Sequence, residues 1–365
     1  MPVELKLMKQ YILILFAFST FSSFTLSAQN LKLNQIQVIG SHNSYKSQIS
    51  PELLAFLSKV NLSASKSLEY AHIPLEEQLD LGLRNLELDV FHDPVGGRYS
   101  NPKGIEIIKS SEGNIPDYDP TNSLSKPGMK LFHVQDLDFQ SHHLLFADAL
   151  KALKTWSEAH PDHSPVFILI NAKDDNIPGT RPTLPFTASA LDSIDIEIRT
   201  HLGMDHLITP DQVKGKYADL ETAVLAGNWP KMNDARGKFL FVLDENEEKT
   251  DRYLSAKPEL KNAVLFVNKK EGNSTAGFRI INNPVKDEAY IRDLVKKGYM
   301  IRTRADSDTK EARMEDYSTF EKAKASGAQV ISTDYYNTST FFKSNYRVNF
   351  EENVYERSNP ILIKN

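Results

Sequence analysis

The chain has 365 residues, of which 40% are hydrophobic and 25% are charged, and these proportions are typical of a globular protein rather than a disordered one. Its formal net charge of -5 argues against nucleic acid as a partner, because such binding needs a dominant basic surface, whereas a small anionic substrate is compatible with it. The chain contains no cysteine, which excludes disulfides, thiolate nucleophiles and thiolate zinc sites. Any metal ion must therefore be held by oxygen or imidazole.

The N-terminal segment has the composition of a secretory signal peptide. Lys6 and Lys9 precede an apolar run over residues 11–24, and small and polar residues follow as far as Asn30. We therefore predict a signal peptide over residues 1–28, with cleavage near Ala28, and a secreted or periplasmic location. A retained membrane anchor is the alternative, although the apolar run is short for a membrane span.

The rest of the chain alternates short apolar runs with amphipathic segments. The runs that predict strands cover residues 36–40, 83–91, 130–134, 165–170, 238–243, 263–267, 298–303 and 328–332. The segments that predict helices cover residues 74–81, 144–159, 188–202, 287–297 and 316–326. Alternating strands and helices indicate a parallel sheet, and eight such strands close a barrel. We therefore predict a single α/β domain over residues 29–365, folded as a (β/α)₈ or TIM barrel.

Polar residues follow the first two predicted strands, at the end of a barrel where active sites lie. The first strand runs into His42 and Asn43, an acid–base group beside a neutral oxygen ligand, although His42 alone is more simply explained as a hydrogen-bonded loop residue. The second strand carries Glu87 and Asp89, which share one face because they are two residues apart. If that face points inward, a divalent cation is the simplest compensation for the two charges. The alternative is a salt bridge from Arg84 or from another inward cation.

Three other predicted strands also end in candidate site residues. His133 supplies a second imidazole, so that two histidines can divide the roles of general base and general acid in phosphoryl transfer. Asn171 is a candidate to complete an oxygen shell around a cation. Lys173 is a candidate to bind a phosphate as a point charge. Arg302 and Arg304 share one face of the seventh predicted strand. If that face is inward, Arg304 is a phosphate clamp, and if it is outward, both are solvated.

Weaker candidates lie at the ends of the remaining strands and near the C-terminus. Asp244 and Asn268 follow the fifth and sixth predicted strands, and a polar cap of residues 332–335 follows the eighth. An aromatic cluster near the C-terminus predicts either transient contact with a membrane surface or packing against the barrel. This cluster consists of Phe341, Phe342, Tyr346 and Phe350.

Several of these strings resemble the phosphatidylinositol-specific phospholipases C. GSHNSY at residues 40–45, ELDVFHD at 87–93 and FH at 132–133 are similar to the catalytic X region of that family. RTRADSDTKEAR at 302–313 and ASGAQVISTDYY at 325–336 resemble, more narrowly, its bacterial secreted calcium-dependent branch. The motifs span nearly the whole mature chain in the order of the strands. The resemblance implies a barrel of the PLC-like phosphodiesterase type that, with Ca²⁺, cleaves phosphatidylinositol or a related glycerophosphodiester into diacylglycerol and inositol phosphate.

The resemblance also implies a role for each matching residue. His42 matches the histidine that supports attack on, or charge in, the transferred phosphoryl group. His133 matches the general acid that protonates the departing glycerol oxygen. Asn43, Glu87 and Asp89 match ligands of the calcium ion.

The fourth metal ligand departs from the family pattern. Many relatives have a glutamate at the end of the fourth strand, where this chain has Asn171. The change removes one negative charge, so the ion is held more weakly or the ligand role shifts to Asp174. The same change leaves open a hypothesis of another class, a barrel without catalysis that binds lipid headgroups or cell-surface glycans.

A glycerophosphodiester phosphodiesterase is the nearest alternative enzyme. Those enzymes share a barrel and an ELD-type strand, but they usually follow their first histidine with Arg and Gly. In this chain, Asn43 and Ser44 follow His42. The sequence does not indicate an oligomeric state.

Overall fold

The computed structural model of the protein describes residues 31–363, so the predicted signal peptide lies outside the described residues. The strands are β1 (Ile36–Ser41), β2 (Asn85–Phe91), β3 (Lys130–Leu131), β4 (Val166–Ala172), β5 (Phe239–Leu243), β6 (Leu265–Val267), β7 (Phe278–Ile280), β8 (Met300–Arg304), β9 (Val330–Thr333) and β10 (Glu356–Ser358). The α-helices are α1 (Pro51–Val60), α2 (Leu62–Ser67), α3 (Leu75–Asp80), α4 (Gly104–Ser110), α5 (Phe146–Ala159), α6 (Ala188–His201), α7 (Pro210–Lys214), α8 (Leu220–Leu225), α9 (Met232–Ala235), α10 (Glu247–Ala256), α11 (Pro284–Lys297), α12 (Lys310–Met314) and α13 (Ser318–Ser326).

The parallel strands form two four-stranded halves. In one half β1, β9, β8 and β7 pair in that order, and in the other β2, β4, β5 and β6 do. The halves meet on one side where the backbone N–H of Arg84 donates to the carbonyl of Ile39 at 3.1 Å. They meet on the other side at a parallel bridge between Asn268 and Phe278. Together with the helices between the strands, this architecture confirms the predicted (β/α)₈ barrel.

One predicted barrel strand is wrong and one was missed. Residues 130–134 form only the two-residue β3, which pairs antiparallel with the end of β2, with Leu131 opposite Val90. The segment reads as a barrel strand because Leu131 and Phe132 are apolar, and both are buried. The barrel strand that was not predicted is β7. It has only three residues, one of which is Arg279, so it is too short and too polar to stand out in the sequence.

The predicted helices correspond to α3, α5, α6, α11 and α13, with small differences at their ends. The largest difference is at the start of α11. There the side chain of Asn283 accepts a hydrogen bond from the N–H of Lys286 at 3.0 Å, and Pro284 occupies the first turn. An Asn–Pro start is a standard helix signal that apolar periodicity does not detect. Among the described helices, none has the length and apolar character needed to cross a bilayer.

Gly40 sets how closely β1 and β2 approach. A Cβ atom at this position would lie 1.9 Å from the carbonyl oxygen of Asn85, so only glycine fits. The strands around it are buried on both faces, as in β4, where residues 166–170 are all buried. This packing fixes the carboxyl ends of the strands, from which the site residues project.

Candidate active site

His42 and Asp334 meet at the mouth of the barrel, directly after the paired strands β1 and β9. Nδ1 of His42 lies 2.8 Å from Oδ1 of Asp334, so the carboxylate accepts the Nδ1 proton. Nη1 of Arg304, at the end of β8, lies 3.5 Å from Nε2 of His42, and Oε1 of Glu87 lies 3.5 Å from the same atom. With its proton on Nδ1, the imidazole presents Nε2 as an acceptor.

The environment of His42 keeps the ring neutral. Burial, and then the positive charge of Arg304, hold the pKa of His42 well below its ordinary value. The loop that carries the ring is fixed by His72, whose Nε2 donates to the carbonyl oxygen of His42 at 2.7 Å. Burial lowers the pKa of His72 to about 4, so this donor is also neutral at neutral pH. His42 is thus unprotonated at Nε2, which leaves this atom available to a proton donor.

His133 forms a second imidazole–carboxylate pair. It follows β3, which pairs with the carboxyl end of β2, so His133 lies at the mouth although residues 130–134 do not form a barrel strand. Its Nδ1 lies 2.9 Å from Oδ2 of Asp138, and Nζ of Lys46 lies 3.4 Å from the same oxygen. Burial would raise the pKa of Asp138, but the charges of Lys46 and His133 outweigh it and lower the pKa. The side chains of His42 and His133 are 18% and 19% exposed, enough for a substrate to reach both.

The two acids of β2 face cations inside the barrel. Oε2 of Glu87 accepts a hydrogen bond from Nη2 of Arg302 at 2.6 Å, and Oδ2 of Asp89 lies 3.1 Å from Nζ of Lys173. Arg84, the other suggested cation, donates to backbone carbonyls instead. Arg302 therefore points inward, and the structure shows the salt-bridge alternative for both acids. Burial would lower the pKa of Lys173, but the charge of Asp89 outweighs it and raises the pKa.

The two amide candidates follow β1 and lie in β4, respectively. Asn43 has a left-handed backbone conformation, with φ of 48°, and its Nδ2 donates to the hydroxyl of Tyr70 at 2.6 Å, which fixes its orientation. Asn171 lies opposite Asp89 in the register of β2 and β4, so both side chains share one face of the sheet.

Asp174 and Asp244 have different surroundings. Oδ1 of Asp174 lies 2.7 Å from Nζ of Lys249, and its Oδ2 accepts a hydrogen bond from the N–H of Phe186 at 3.0 Å. Asp174 is therefore engaged in these contacts rather than free to replace a missing ligand. Asp244 lies inside the site, with Oδ2 3.9 Å from Nη1 of Arg302. Burial raises its pKa to about 7, against the opposing charge of Arg302.

Asp89 is the residue best suited to a hard cation. It is fully buried, and neither carboxylate oxygen has a hydrogen-bond partner among the described residues, although the Lys173 ammonium forms an ion pair with Oδ2 at 3.1 Å. Within residues 31–363 no three histidine or acidic side chains lie close enough together to hold a metal ion. A divalent cation at Asp89 fits the oxygen chemistry, but the amides, water and substrate must complete its shell.

A cavity of about 330 Å³ adjoins the His42–Asp334 pair. Its walls include Tyr70, His72, Asp334 and Tyr336. The ring of His72 stacks on that of Tyr336 with centroids 5.3 Å apart. The cavity gives the mouth an aromatic side wall next to the reacting groups.

The C-terminal aromatic residues pack against the barrel. Tyr346 and Phe350 are buried in one hydrophobic cluster, and Phe342 packs against that cluster. Phe341 packs against a second cluster, which contains Phe139. Tyr346 and Phe350 are therefore packing residues, whereas Phe341 and Phe342 stay half-buried, and contact with a membrane through them stays a prediction.

The pairing of each histidine with a carboxylate was not predicted from the sequence. Asp138 and Asp334 each lie a few residues beyond a predicted strand, in the zone where polar residues were sought. The sequence does not show that each carboxylate accepts from Nδ1 of a histidine, because the loops that bring them together are irregular. Their position just after a strand was the available signal.

The sequence matches the profile of a known family. The profile described as phosphoinositide phospholipase C, Ca²⁺-dependent, matches residues 31–360. The chain belongs to this family. The enzymes of the family are phosphoric diester hydrolases, which confirms the predicted enzyme class. A comparison with curated proteins gave no match.

Solved structures of bacterial enzymes share the fold. A calcium-dependent phosphoinositol-specific phospholipase C from Pseudomonas sp., in a complex with myo-inositol, is 15% identical, with a TM-score of 0.54 over 91% of this chain and 97% of that one. A calcium-dependent phosphatidylinositol-specific phospholipase C from Streptomyces antibioticus is 18% identical, with a TM-score of 0.50 over 84% of this chain and 95% of that one. At these identities the similarity shows the barrel fold and supports no residue assignment.

Proposed function

We propose that the protein is a calcium-dependent phospholipase C that cleaves phosphatidylinositol or a related glycerophosphodiester into diacylglycerol and inositol phosphate. The observation that carries the proposal is the pair of imidazoles at one mouth. Nδ1 of His42 and Nδ1 of His133 each lie against a carboxylate, which leaves both Nε2 atoms for proton transfer. A reaction that needs one base and one acid on opposite sides of a phosphorus atom fits this arrangement.

The proton transfers follow from the hydrogen bonds that hold each ring. Neutral His42 takes the proton of the attacking inositol hydroxyl at Nε2. As the new P–O bond forms, the bond from phosphorus to the glycerol oxygen breaks, and His133, held by Asp138, acts as the general acid that gives a proton from Nε2 to that oxygen. Arg304, 3.5 Å from Nε2 of His42, is placed to bind the phosphate oxygens. Loss of either imidazole is expected to lower turnover by about 10²- to 10⁴-fold.

The residues that would hold calcium are Asn43, Glu87, Asp89 and Asn171. Calcium bound there would make the attacking hydroxyl more acidic and offset the charge that develops on the phosphoryl oxygens. The carboxylate oxygens of Asp89, which are buried without hydrogen bonds, support this location. Glu87 can offer only Oε1 while Oε2 is bonded to Arg302.

An assay with three substrates tests this function against its alternatives. We expect the purified mature chain to cleave phosphatidylinositol faster than glycerophosphocholine or glycerophosphoinositol, to stop when calcium is chelated, and to lose activity in His42→Ala. Faster cleavage of the two soluble glycerophosphodiesters would favour the glycerophosphodiester phosphodiesterase. Binding of phosphatidylinositol without turnover above that of His42→Ala would favour a barrel that only binds headgroups.

We also propose that the loops at the mouth touch the membrane that carries the substrate. Val60, the last residue of α1, and Leu62, the first residue of α2, are 70% and 56% exposed, and Val95 after β2 is 82% exposed. These apolar side chains follow the carboxyl ends of β1 and β2, on the side of the barrel where the site lies. Val60→Asp is expected to reduce sedimentation with phosphatidylinositol vesicles, whereas Leu225→Asp, an exposed position on α8, is not. Equal loss in both variants would contradict the proposal.

We propose export through the segment 1–28. The support is its composition, with Lys6 and Lys9 before the apolar run. Expression in a bacterial host, followed by N-terminal sequencing of the exported protein, is expected to find a new N-terminus near Ala28. Retention of the full-length chain in the cytoplasm would refute it.

A further inference from the structure

The two ion pairs beneath the mouth differ in how firmly each cation is held. The side chain of Arg302 is 2% exposed. Its Nε donates to Oγ of Ser332 at 2.9 Å, its Nη1 to Oδ1 of Asn282 at 2.5 Å, and its Nη2 to Oε2 of Glu87 at 2.6 Å. Each nitrogen of the guanidinium therefore has a partner of its own, and the group is fixed between β8, β9 and β2.

Within residues 31–363, the Lys173 ammonium is held at one point only. Its side chain is 28% exposed, and among the described residues its ammonium forms an ion pair with Oδ2 of Asp89, 3.1 Å away. Lys173 thus supplies charge to Asp89 through one ion pair, without the three separate hydrogen bonds that hold Arg302. The Lys173 ammonium is the loosely held cation of the site.

Calcium and the Lys173 ammonium compete for the same oxygens. A divalent ion interacts with a carboxylate about twice as strongly as a single charge does at equal distance, and Ca²⁺ binds oxygen ligands directly. Both charges cannot sit against Asp89 together, because like charges repel strongly in a buried site. The flexible lysine side chain can leave toward solvent, whereas Arg302 cannot leave Glu87 without breaking its other hydrogen bonds.

We propose that Lys173 is a displaceable counter-ion of the calcium site. In the calcium-free enzyme its ammonium compensates Asp89. When the ion binds, Lys173 leaves Asp89 and its charge becomes available to the phosphate of the substrate, while Arg302 stays on Glu87. Calcium binding and phosphate binding are thereby linked through one side chain. This inference rests on the proposed function for the presence of calcium at Asp89.

Calcium titrations of matched variants test the inference. In isothermal titration with CaCl₂, Lys173→Met is expected to bind calcium at least about tenfold more tightly than the wild type, which is about 1.4 kcal/mol. Its turnover at saturating calcium is expected to fall, because the phosphate loses a cation. Lys257→Met removes a comparable ion-paired lysine, 2.7 Å from Asp192 and outside the site, and is expected to leave calcium affinity unchanged. Equal or weaker calcium binding by Lys173→Met overturns the inference.

A measurement on the wild type covers the case in which Lys173→Met does not fold. Lysine acetylation followed by mass spectrometry is expected to modify Lys173 faster with calcium than with a chelator, because the ammonium has lost its ion pair with Asp89. Lys257 serves as the internal reference. An unchanged rate at Lys173, when calcium binds, overturns the inference and leaves the proposed function standing. Cleavage of phosphatidylinositol without any calcium binding overturns the inference and the calcium dependence together.

Discussion

Replacing Asp334 by Asn is expected to disable His42 without removing it. Oδ1 of Asp334 accepts the proton on Nδ1 of His42 at 2.8 Å, and this bond keeps Nε2 free of a proton. An asparagine of the same shape can place its amide N–H groups against Nδ1. Nδ1 then becomes the acceptor and the ring proton moves to Nε2, where it blocks proton transfer from the substrate. Asp334 is in this sense a positioning residue.

The expected size of the effect follows from the role of His42. A well-placed general base contributes about 10²- to 10⁴-fold to a rate, and the wrong tautomer removes most of this. We expect kcat of Asp334→Asn to fall at least about 10²-fold, which is about 2.7 kcal/mol of transition-state stabilisation. The assay is the initial rate of phosphatidylinositol cleavage at saturating calcium across a range of pH. The acidic limb of the kcat profile, which reports protonation of His42, is expected to shift in the variant.

The double variant separates positioning of His42 from a general loss of structure. If Asp334 acts through His42, adding Asp334→Asn to His42→Ala is expected to cause little further loss, because the two groups act as a unit. Melting temperatures of the single variants show whether the fold is intact. A folded Asp334→Asn enzyme with kcat within about threefold of the wild type would refute the reasoning, since the usual effect of a base is much larger.

Three further predictions concern stability. Arg302→Met leaves Glu87 buried without its cation and is expected to lower the free energy of unfolding by about 3–5 kcal/mol in urea titrations. An unchanged urea midpoint of unfolding would contradict the importance of this ion pair. Gly40→Ala places a Cβ 1.9 Å from the carbonyl oxygen of Asn85 and is expected to destabilise the barrel by about 3 kcal/mol in thermal melting. A variant that melts at the same temperature as the wild type would disprove the close approach. Burial lowers the pKa of His163 from 6.5 to about 4, so below pH 6.5 the unfolded chain binds a proton that the folded chain does not. The free energy of unfolding is therefore expected to decrease by up to about 1.4 kcal/mol per pH unit as pH falls from 6.5 toward 4. The variant His163→Gln is expected to lack this part of the pH dependence. An identical pH dependence in the variant would exclude His163 as its source.

The parts of the fold that the sequence predicted are those with strong local patterns. β4 reads as a strand because its residues form a nearly continuous apolar run, and β2 because apolar and polar residues alternate along it. α5 and α6 read as helices because their apolar residues recur at helical spacing. The placement of Glu87 and Asp89 on one face follows from the strand repeat alone. The functional strings were also visible, because they are short and follow directly after strands.

The parts that the sequence did not predict depend on contacts between distant segments. β7 has three residues and carries Arg279, whose Nη1 donates to Oδ1 of Asn268 at 2.7 Å, so its place in the barrel is set by a neighbouring strand end. Whether Arg302 and Arg304 face inward also remained open, because both readings give the same alternation along β8. The contact between Arg302 and Glu87, 215 residues apart in sequence, decides it.

The balance of charge at the mouth explains why the basic residues matter as much as the acidic ones. Two ionised carboxylates on one face of β2 would destabilise a calcium-free barrel unless cations lay beside them, and Arg302 and Lys173 meet this need. A substrate phosphate makes the same demand for cations, so a lysine that neutralises Asp89 cannot at that moment neutralise phosphate. The Arg302 guanidinium, fixed by hydrogen bonds to Ser332 and Asn282, compensates the acidic charge of β2 permanently. Because Lys173 is held by a single contact, the same residue can neutralise Asp89 before calcium binds and the substrate phosphate afterwards.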